Sequence, residues 1–293
     1  MNPNGIRALF AAALLLVLAP LHAQSDLGSA ERIADGVLLY RLDDESLLDP
    51  PGHVAVQALR VDPRLATIEV ALAEDRSPAR ETVLSIAQRR RAIAAVNGGF
   101  FALQDGAPQA ILKRAGRLLG GSARARGAVG ITRRGGATLL LFDRVAVDRA
   151  PPSPVYHPRL GSRAPDWSAA SDIVSGAGLL VRDGREITEW ADEALSAGFE
   201  TTRHPRTMIG ADRDGGIWLV TVDGRQPWLS LGMTFAELQR LARRLGLRSA
   251  LNLDGGGSTT MVVKGFVVNH PSDETGPRKV SDAILVFAKE PIR

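Results

Sequence analysis

The sequence predicts an α+β fold: mixed, largely antiparallel sheets with a few packed helices, in a single domain. Three observations carry this. Short β-rich runs alternate with hairpin dipeptides such as Asp183-Gly184 and Lys264-Gly265, the signature of antiparallel pairing. Two stretches, 82–90 and 234–245, place apolar residues at helical spacing. Each leads into a short apolar strand that stops at a glycine-rich loop, once after Asn97 and once after Asp254. The length of 293 residues allows one large domain or two small ones, and 45% hydrophobic with 23% charged residues is enough for a sizeable core.

In chain order, residues 1–23 read as a cleaved signal peptide. Arg7 supplies the positive start, 8–18 is an unbroken apolar run too short for a membrane span, and Leu21-His22-Ala23 ends on the small residue that signal peptidases need. The expected mature domain, 24–293, is therefore exported, periplasmic or extracellular, and has no membrane contact after cleavage, since no later stretch holds eighteen consecutive apolar residues. Runs 54–59 and 66–72 are strands around an Asp62-Pro63 turn. Val83, Ile86 and Ala87 give the 82–90 helix its apolar face, and 92–96 is the buried strand ending in Asn97-Gly98-Gly99-Phe100-Phe101. Runs 128–132 and 137–142 form a hairpin, and the Pro-rich stretch 151–165 reads as a long surface loop.

Further hairpins join 178–181 to 186–188 and 208–211 to 217–222. Thr234-Phe235-Ala236-Glu237 is a capping box, Leu238, Leu241, Ala242 and Leu245 form the stripe behind it, and Gly246 is the C′ residue. Strand 250–253 then runs into Asp254-Gly255-Gly256-Gly257-Ser258-Thr259-Thr260, followed by strands 261–263, 266–268 and 283–288.

Composition excludes several chemistries. Without cysteine there is no disulfide scaffold, thiolate zinc site or cysteine nucleophile. The formal charge of +4 falls to +3 when Arg7 leaves with the signal, and aromatics are only 5%, so no nucleic-acid partner is expected. The dense basic run Arg89-Arg90-Arg91 is a solvated helix end. His53, His157, His204 and His270 show no metal-ligand spacing, no Gly-x-Ser-x-Gly elbow exists, and no Lys follows the glycine run as a phosphate-binding Walker loop requires.

What remains points to an anion beside an acid. The glycines at 255–257 free backbone amides to form an anion-binding nest, with hydroxyls from Ser258, Thr259 and Thr260 and the carboxylate of Asp254 beside it. Arg206 stands at a strand mouth next to His204, and arginine suits bidentate phosphate contacts. Asp223-Gly224-Arg225 places a second carboxylate at a strand end. His270 is a proton carrier or a loop residue, and Asp282 either points into the cleft or caps the last strand.

Six blocks in order carry a resemblance: Asn97-Gly98-Gly99-Phe100-Phe101, Arg206-Thr207-Met208-Ile209-Gly210, Asp223-Gly224-Arg225, Gly232-Met233-Thr234, Asn252 through Thr260, and Val280-Ser281-Asp282-Ala283-Ile284. Over residues 90–288 the chain resembles the phosphodiester glycosidase domain family, which includes the catalytic domain of the mannose-6-phosphate uncovering enzyme. The resemblance implies hydrolysis of the glycosidic bond in a sugar-1-phosphodiester, such as an N-acetylglucosamine-1-phosphodiester, giving free sugar and a phosphomonoester. It implies Asp254, Asp223, Asn97 and Arg206 as catalytic groups, with Asp254 first and Asp223 second as the acting carboxylate, and Asn97 either positioning the sugar or holding the carboxylate. Substrate and phosphate contacts are then expected from Gly98, Gly99, Thr207, Gly224, Arg225, Asn252, Gly255, Gly256, Gly257, Ser258, Thr259, His270, Ser281 and Asp282. The expected partner is a phosphorylated glycan or sugar-phosphodiester, and no cofactor is expected. Two other readings stay open: a non-catalytic envelope module that binds phosphorylated glycans, and a phosphodiesterase holding Ca²⁺ or Mg²⁺ on Asp223, Asp254 and Asp282.

Overall fold

The computed structural model describes residues 27–149, 153–159 and 166–289. The expected signal peptide at 1–23 lies outside the described residues.

Antiparallel hairpins dominate, and every strand pairing among the described residues is antiparallel. An eight-stranded sheet runs Glu31–Ala34, Val37–Leu42, Val56–Val61, Ile217–Val222, Arg206–Asp212, Leu247–Asn252, Leu179–Arg182, Arg185–Glu186. A five-stranded sheet runs Phe266–Val267, Met261–Val263, Ala94–Asn97, Asp282–Ala288, Ala66–Leu72. A six-stranded sheet runs Val155–Pro158, Ala137–Asp148, Arg126–Arg134, Asp172–Ser175, Leu112–Arg114, Arg117–Gly120. A two-stranded ribbon pairs Glu81–Thr82 with Lys279–Val280. The expectation of an α+β fold is trimmed accordingly: among the described residues there are two α-helices, α1 (Val83–Arg90) and α2 (Phe235–Arg244), and the sheets carry the architecture.

Side-chain alternation explains the layering. In Asp282–Ala288, Ile284 and Val286 enter a central core shared by the three large sheets, while Ala283 and Leu285 face α1. In Ile217–Val222, Ile217 and Leu219 point into the same central core, while Trp218, Val220 and Val222 pack under α2. A strand with both faces covered reads as a continuous apolar run, which is why these two were legible as strands without polar alternation.

The helix ends follow their local chemistry. Thr82 caps α1, its hydroxyl accepting from the Ser85 amide at 3.2 Å. Thr234 and Glu237 form the expected box on α2, with bonds of 3.2 and 2.8 Å, and Gly246 takes φ +70° just beyond. Lys264 and Gly265 both have positive φ, as do Asp183 and Gly184, matching the hairpin turns read from the dipeptides. Arg89 and Arg90 are less solvated than expected: they pair with Asp75, Glu81 and Glu69. The stretch 151–165 is not all loop either. Val155–Pro158 pairs with the end of Ala137–Asp148.

One connection positions the site. Leu247–Asn252 lies in the eight-stranded sheet and Met261–Val263 in the five-stranded one, so residues 253–260 carry the chain from one sheet to the other. Ala94–Asn97 ends beside that crossing.

Leu241 is fully buried between α2 and the sheet, so Leu241→Ala is expected to cost about 2–5 kcal/mol in urea unfolding. Thr234→Ala, which removes a single cap bond, is expected to cost about 1 kcal/mol.

Candidate active site

Asn97 is wholly buried where the two sheets meet, and its carboxamide is held by distant segments. Its Nδ2 donates to the Asp254 carbonyl (2.7 Å), and its Oδ1 accepts from the Thr207 hydroxyl (2.7 Å) and the Thr260 amide (3.2 Å). The backbone adds Asp254 N–H to the Gly98 carbonyl (3.1 Å) and Leu253 N–H to the Thr207 carbonyl (2.8 Å). Asn97 therefore grips the backbone of Asp254. Of its two expected roles, this geometry supports holding the acid in place over contacting the sugar: it is a positioning residue.

Glycine is required at 98 for space. A Cβ there would lie 1.9 Å from Asp282 Oδ1. That carboxylate accepts from the Gly99 amide at 2.9 Å and from the Ser281 hydroxyl. Asp282 is thus buried directly behind Gly98, with burial raising its pKa.

Asp254 lies in front, partly open to a pocket of about 250 Å³ that is also lined by Phe199, His204, Arg225, Gly255–Gly257 and Arg278. Its pKa is pushed up to about 7, first by burial and further by the like charge of Asp282, against the opposing pull of the Ser258 hydroxyl, the Gly255 amide and Arg278. A carboxyl balanced near neutrality in a cleft has the poise of an acid–base catalyst.

Most amides of the glycine run are spent inside the protein, so it is not the full nest expected from the sequence; the Gly257 amide is left out of these bonds. The Gly255 amide donates to Asp254 Oδ1 (2.9 Å), Gly256 to the Pro205 carbonyl (2.9 Å), Ser258 to Gly255 (3.1 Å) and Thr259 to Gly256 (3.2 Å). Ser258 and Thr259 are themselves buried. The glycines serve close approach instead: a Cβ would meet the Pro205 carbonyl at 2.6 Å from 255, and Asp273 Oδ1 at 2.0 Å from 257.

Positive charge at the pocket comes from guanidiniums. Arg225, exposed at φ +61°, lies over Gly256, 3.0 Å from where a Cβ would sit. Its Nη2 is 3.4 Å from His204 Nδ1. Because Arg can only donate, that nitrogen carries the lone pair. Burial, and then Arg206 and Arg225, lower the His204 pKa, which favours the neutral ring. Arg278 borders the pocket opposite, held in a fork by Asp273 at 2.8 and 3.0 Å.

Arg206 is largely tied into the framework, yet it borders the same pocket and its Nη1 is buried without a hydrogen-bond partner. Its Nε donates to the Met233 carbonyl (2.8 Å), and its Nη2 donates to the carbonyls of Phe199 (2.7 Å) and Thr202 (2.9 Å). The guanidinium is packed between Phe199 and Phe235, 4.7 and 4.9 Å from the ring centres, and burial pushes its pKa down to about 9. It builds the pocket wall.

Asp223 is corrected. It is fully buried, its Oδ1 accepting from Asn269 Nδ2 (2.9 Å) and the His270 amide (3.0 Å), and burial raises its pKa. It anchors the 269–270 turn and does not line the pocket.

Other expected contacts are structural. Asn252 donates to the Ala177 and Leu253 carbonyls, Thr207 and Ser281 serve Asn97 and Asp282, and Gly224 packs on Pro205 and Gly232. The exposed His270 does not line the pocket. Asp223, Asp254 and Asp282 do not converge as a cation site: no group of three His, Asp or Glu side chains suited to a metal exists among the described residues. Phe199, Arg278 and Asp273 were missed. They lie in stretches without periodicity, and the Asp273–Arg278 fork is visible only once the turn is folded.

A family model described as phosphodiester glycosidase matches residues 90–287. The chain is 28% identical over 209 residues to N-acetylglucosamine-1-phosphodiester alpha-N-acetylglucosaminidase of Mus musculus, covering 66% of this chain and 37% of that protein. It is 31% identical over 220 residues to the SPbeta prophage-derived uncharacterized protein YomE of Bacillus subtilis, covering 71% and 30%. The matched region thus spans about a third of the length of these relatives. Among solved structures, the catalytic domain of the zebrafish N-acetylglucosamine-1-phosphodiester alpha-N-acetylglucosaminidase, auto-inhibited by its pro-peptide, superposes with a TM-score of 0.63 at 23% identity, covering 92% of this chain and 86% of that one. A putative exported protein of Burkholderia pseudomallei gives 0.68 at 22% identity, covering 81% and 74%. These two share the fold.

Asp254 yields a test independent of substrate. Its folded pKa of about 7 exceeds the free value of 3.8, so the protonated form favours folding. That contribution is complete below 3.8 and is lost as pH rises through 7. Asp254→Asn is expected to gain on wild type between pH 4 and 8, by an amount on the order of 2–4 kcal/mol. Urea melts at both pH values check this, and a pH-independent difference contradicts the assignment.

Proposed function

Because the chain belongs to the phosphodiester glycosidase family, we propose that the pocket at Asp254 hydrolyses the C1–O bond of a sugar-1-phosphodiester, releasing free sugar and a phosphomonoester. The observation that carries this reading is a carboxyl with a pKa of about 7 in one pocket with Arg225 and Arg278. The printed names of the mouse and zebrafish relatives specify an N-acetylglucosamine-1-phosphodiester; we extend that bond type to this chain. We further place the enzyme outside the cytoplasm, as the mature domain 24–293, on the strength of the signal-like residues 1–23.

The steps follow from the groups present. Water attacks C1 as the bond to the phosphate oxygen loosens through an oxocarbenium-like state. Ionised Asp254 takes the proton from that water. The electron pair of the C1–O bond leaves with the phosphate, and Arg225 and Arg278 hold the growing charge. A departing phosphate needs no proton donor, since its monoester ionises near pH 6, so a single pocket carboxylate suffices. A carboxyl titrating near 7 is matched to proton transfer, whereas a carboxylate nucleophile needs surroundings that keep it ionised.

Three outcomes are expected. In H₂¹⁸O the label enters the sugar; label in the phosphate would mean P–O cleavage and overturn the reading. kcat/KM rises with pH through about 7 as Asp254 ionises, and Asp254→Asn lowers kcat about 10²-fold or more. Because the attack is a single displacement, NMR of the fresh product should show the anomer opposite to that of the substrate.

A further inference from the structure

A second pocket, of about 180 Å³, opens on the other side of Phe199. Phe100, Gln109, Arg126, Ala177 and Leu195 line it with that ring. It is close to the chemistry, for two reasons. Phe100 follows Gly98-Gly99, whose first carbonyl accepts from Asp254 N–H, and Ala177 N–H donates to the Asn252 carbonyl (3.0 Å) just before Asp254. Phe100 and Phe199 meet edge to face with centroids 6.2 Å apart, giving the pocket two apolar walls.

Its charged group is Arg126. The guanidinium is half-buried and stands 5.9 Å from the Phe100 ring centre. Its Nη1 donates to the Glu193 carbonyl, and its Nε is buried without a hydrogen-bond partner. The carboxylate of Glu193 acts on it through space but makes no direct ion pair with it. That group already accepts from the amides of Gly127 (2.8 Å), Gly178 (2.8 Å) and Leu179 (3.1 Å) and from Arg144 Nε (3.0 Å). Among the described residues Arg126 thus has a carbonyl partner and no carboxylate in contact. Burial depresses its pKa, the mark of a charge short of solvation. Most other half-buried arginines here do have a carboxylate, as Arg114, Arg203 and Arg278 show.

We infer that this pocket is a glycosyl subsite that takes a carboxylate-bearing sugar, the Arg126 guanidinium receiving the carboxylate and the rings of Phe100 and Phe199 enclosing the apolar faces of the sugar. A fork of parallel N–H donors fits a carboxylate, and the ring walls keep water from screening the contact. The inference rests on the proposed reaction, because it assigns the phosphate to the Arg225 side of Phe199 and the sugar to the Arg126 side.

Calorimetric binding tests the subsite apart from turnover. Glucuronic acid 1-phosphate is expected to bind at least tenfold more tightly than glucose 1-phosphate. Arg126→Gln is expected to abolish that preference, and Arg126→Lys to keep part of it, with far-ultraviolet circular dichroism confirming that both variants fold. Equal binding of the two probes, or a preference that survives Arg126→Gln, overturns the inference. Turnover of the corresponding methyl diesters separates the two claims. Hydrolysis without preference for the uronate sinks the subsite alone, whereas preferential binding without hydrolysis of either diester sinks the reaction and leaves the subsite standing.

Discussion

The site depends on one buried carboxamide. Asn97 sits where the eight-stranded and five-stranded sheets converge, and its bonds gather Thr207, Asp254 and Thr260 from chain positions more than a hundred residues away. Deleting any of these partners would leave a buried amide group unsatisfied, which costs more than the bond itself contributes. The carboxyl of Asp254 owes its position to this arrangement, because the residue is fixed through its backbone carbonyl and N–H, and only the Gly255 amide is bonded to its Oδ1. Rigid backbone beneath a mobile proton is what preorganised catalysis needs.

Around that anchor the charges divide by depth. Arg206 and Asp223 lie under the surface, where most of their polar atoms meet carbonyls, amides and Asn269, while Arg206 Nη1 and Asp223 Oδ2 are left without a partner. Arg206 also borders the pocket, together with the outer Arg225 and Arg278. The raised pKa values of Asp254 and Asp282 share this origin: both carboxyls flank Gly98, both are desolvated, and the charge of Asp282 is felt at Asp254.

Much of this was legible in the sequence, for identifiable reasons. The capping box at Thr234, the turns at Asp183-Gly184 and Lys264-Gly265, and the strand 66–72 are local, and their chemistry is written in neighbouring residues. The two glycine-rich loops that end the helix-then-strand segments do meet, through Asp254 N–H to the Gly98 carbonyl and Asn97 Nδ2 to the Asp254 carbonyl, although only the second lines the pocket. Depth was not legible. Nothing in Arg203-His204-Pro205-Arg206 says which guanidinium will be stacked between Phe199 and Phe235, since those rings arrive from other segments. The glycines were read as donors of amides when they are needed for close approach, because a run of three glycines satisfies both requirements equally until the neighbours are known. Strands such as Glu31–Ala34 and Val155–Pro158 were missed because, as edge strands, they carry too few apolar residues to stand out.

The order of strands in the five-stranded sheet bears on how the chain matures. Asp282–Ala288, the last of these strands in chain order, lies between Ala94–Asn97 and Ala66–Leu72. Without it, those two neighbours have no shared partner, and the faces that Ile284 and Val286 cover lose their packing. The sheet that carries Asn97 is thus closed by contacts between distant parts of the chain, the kind that form slowly, so the frame of the pocket is a product of the whole domain and of no single segment.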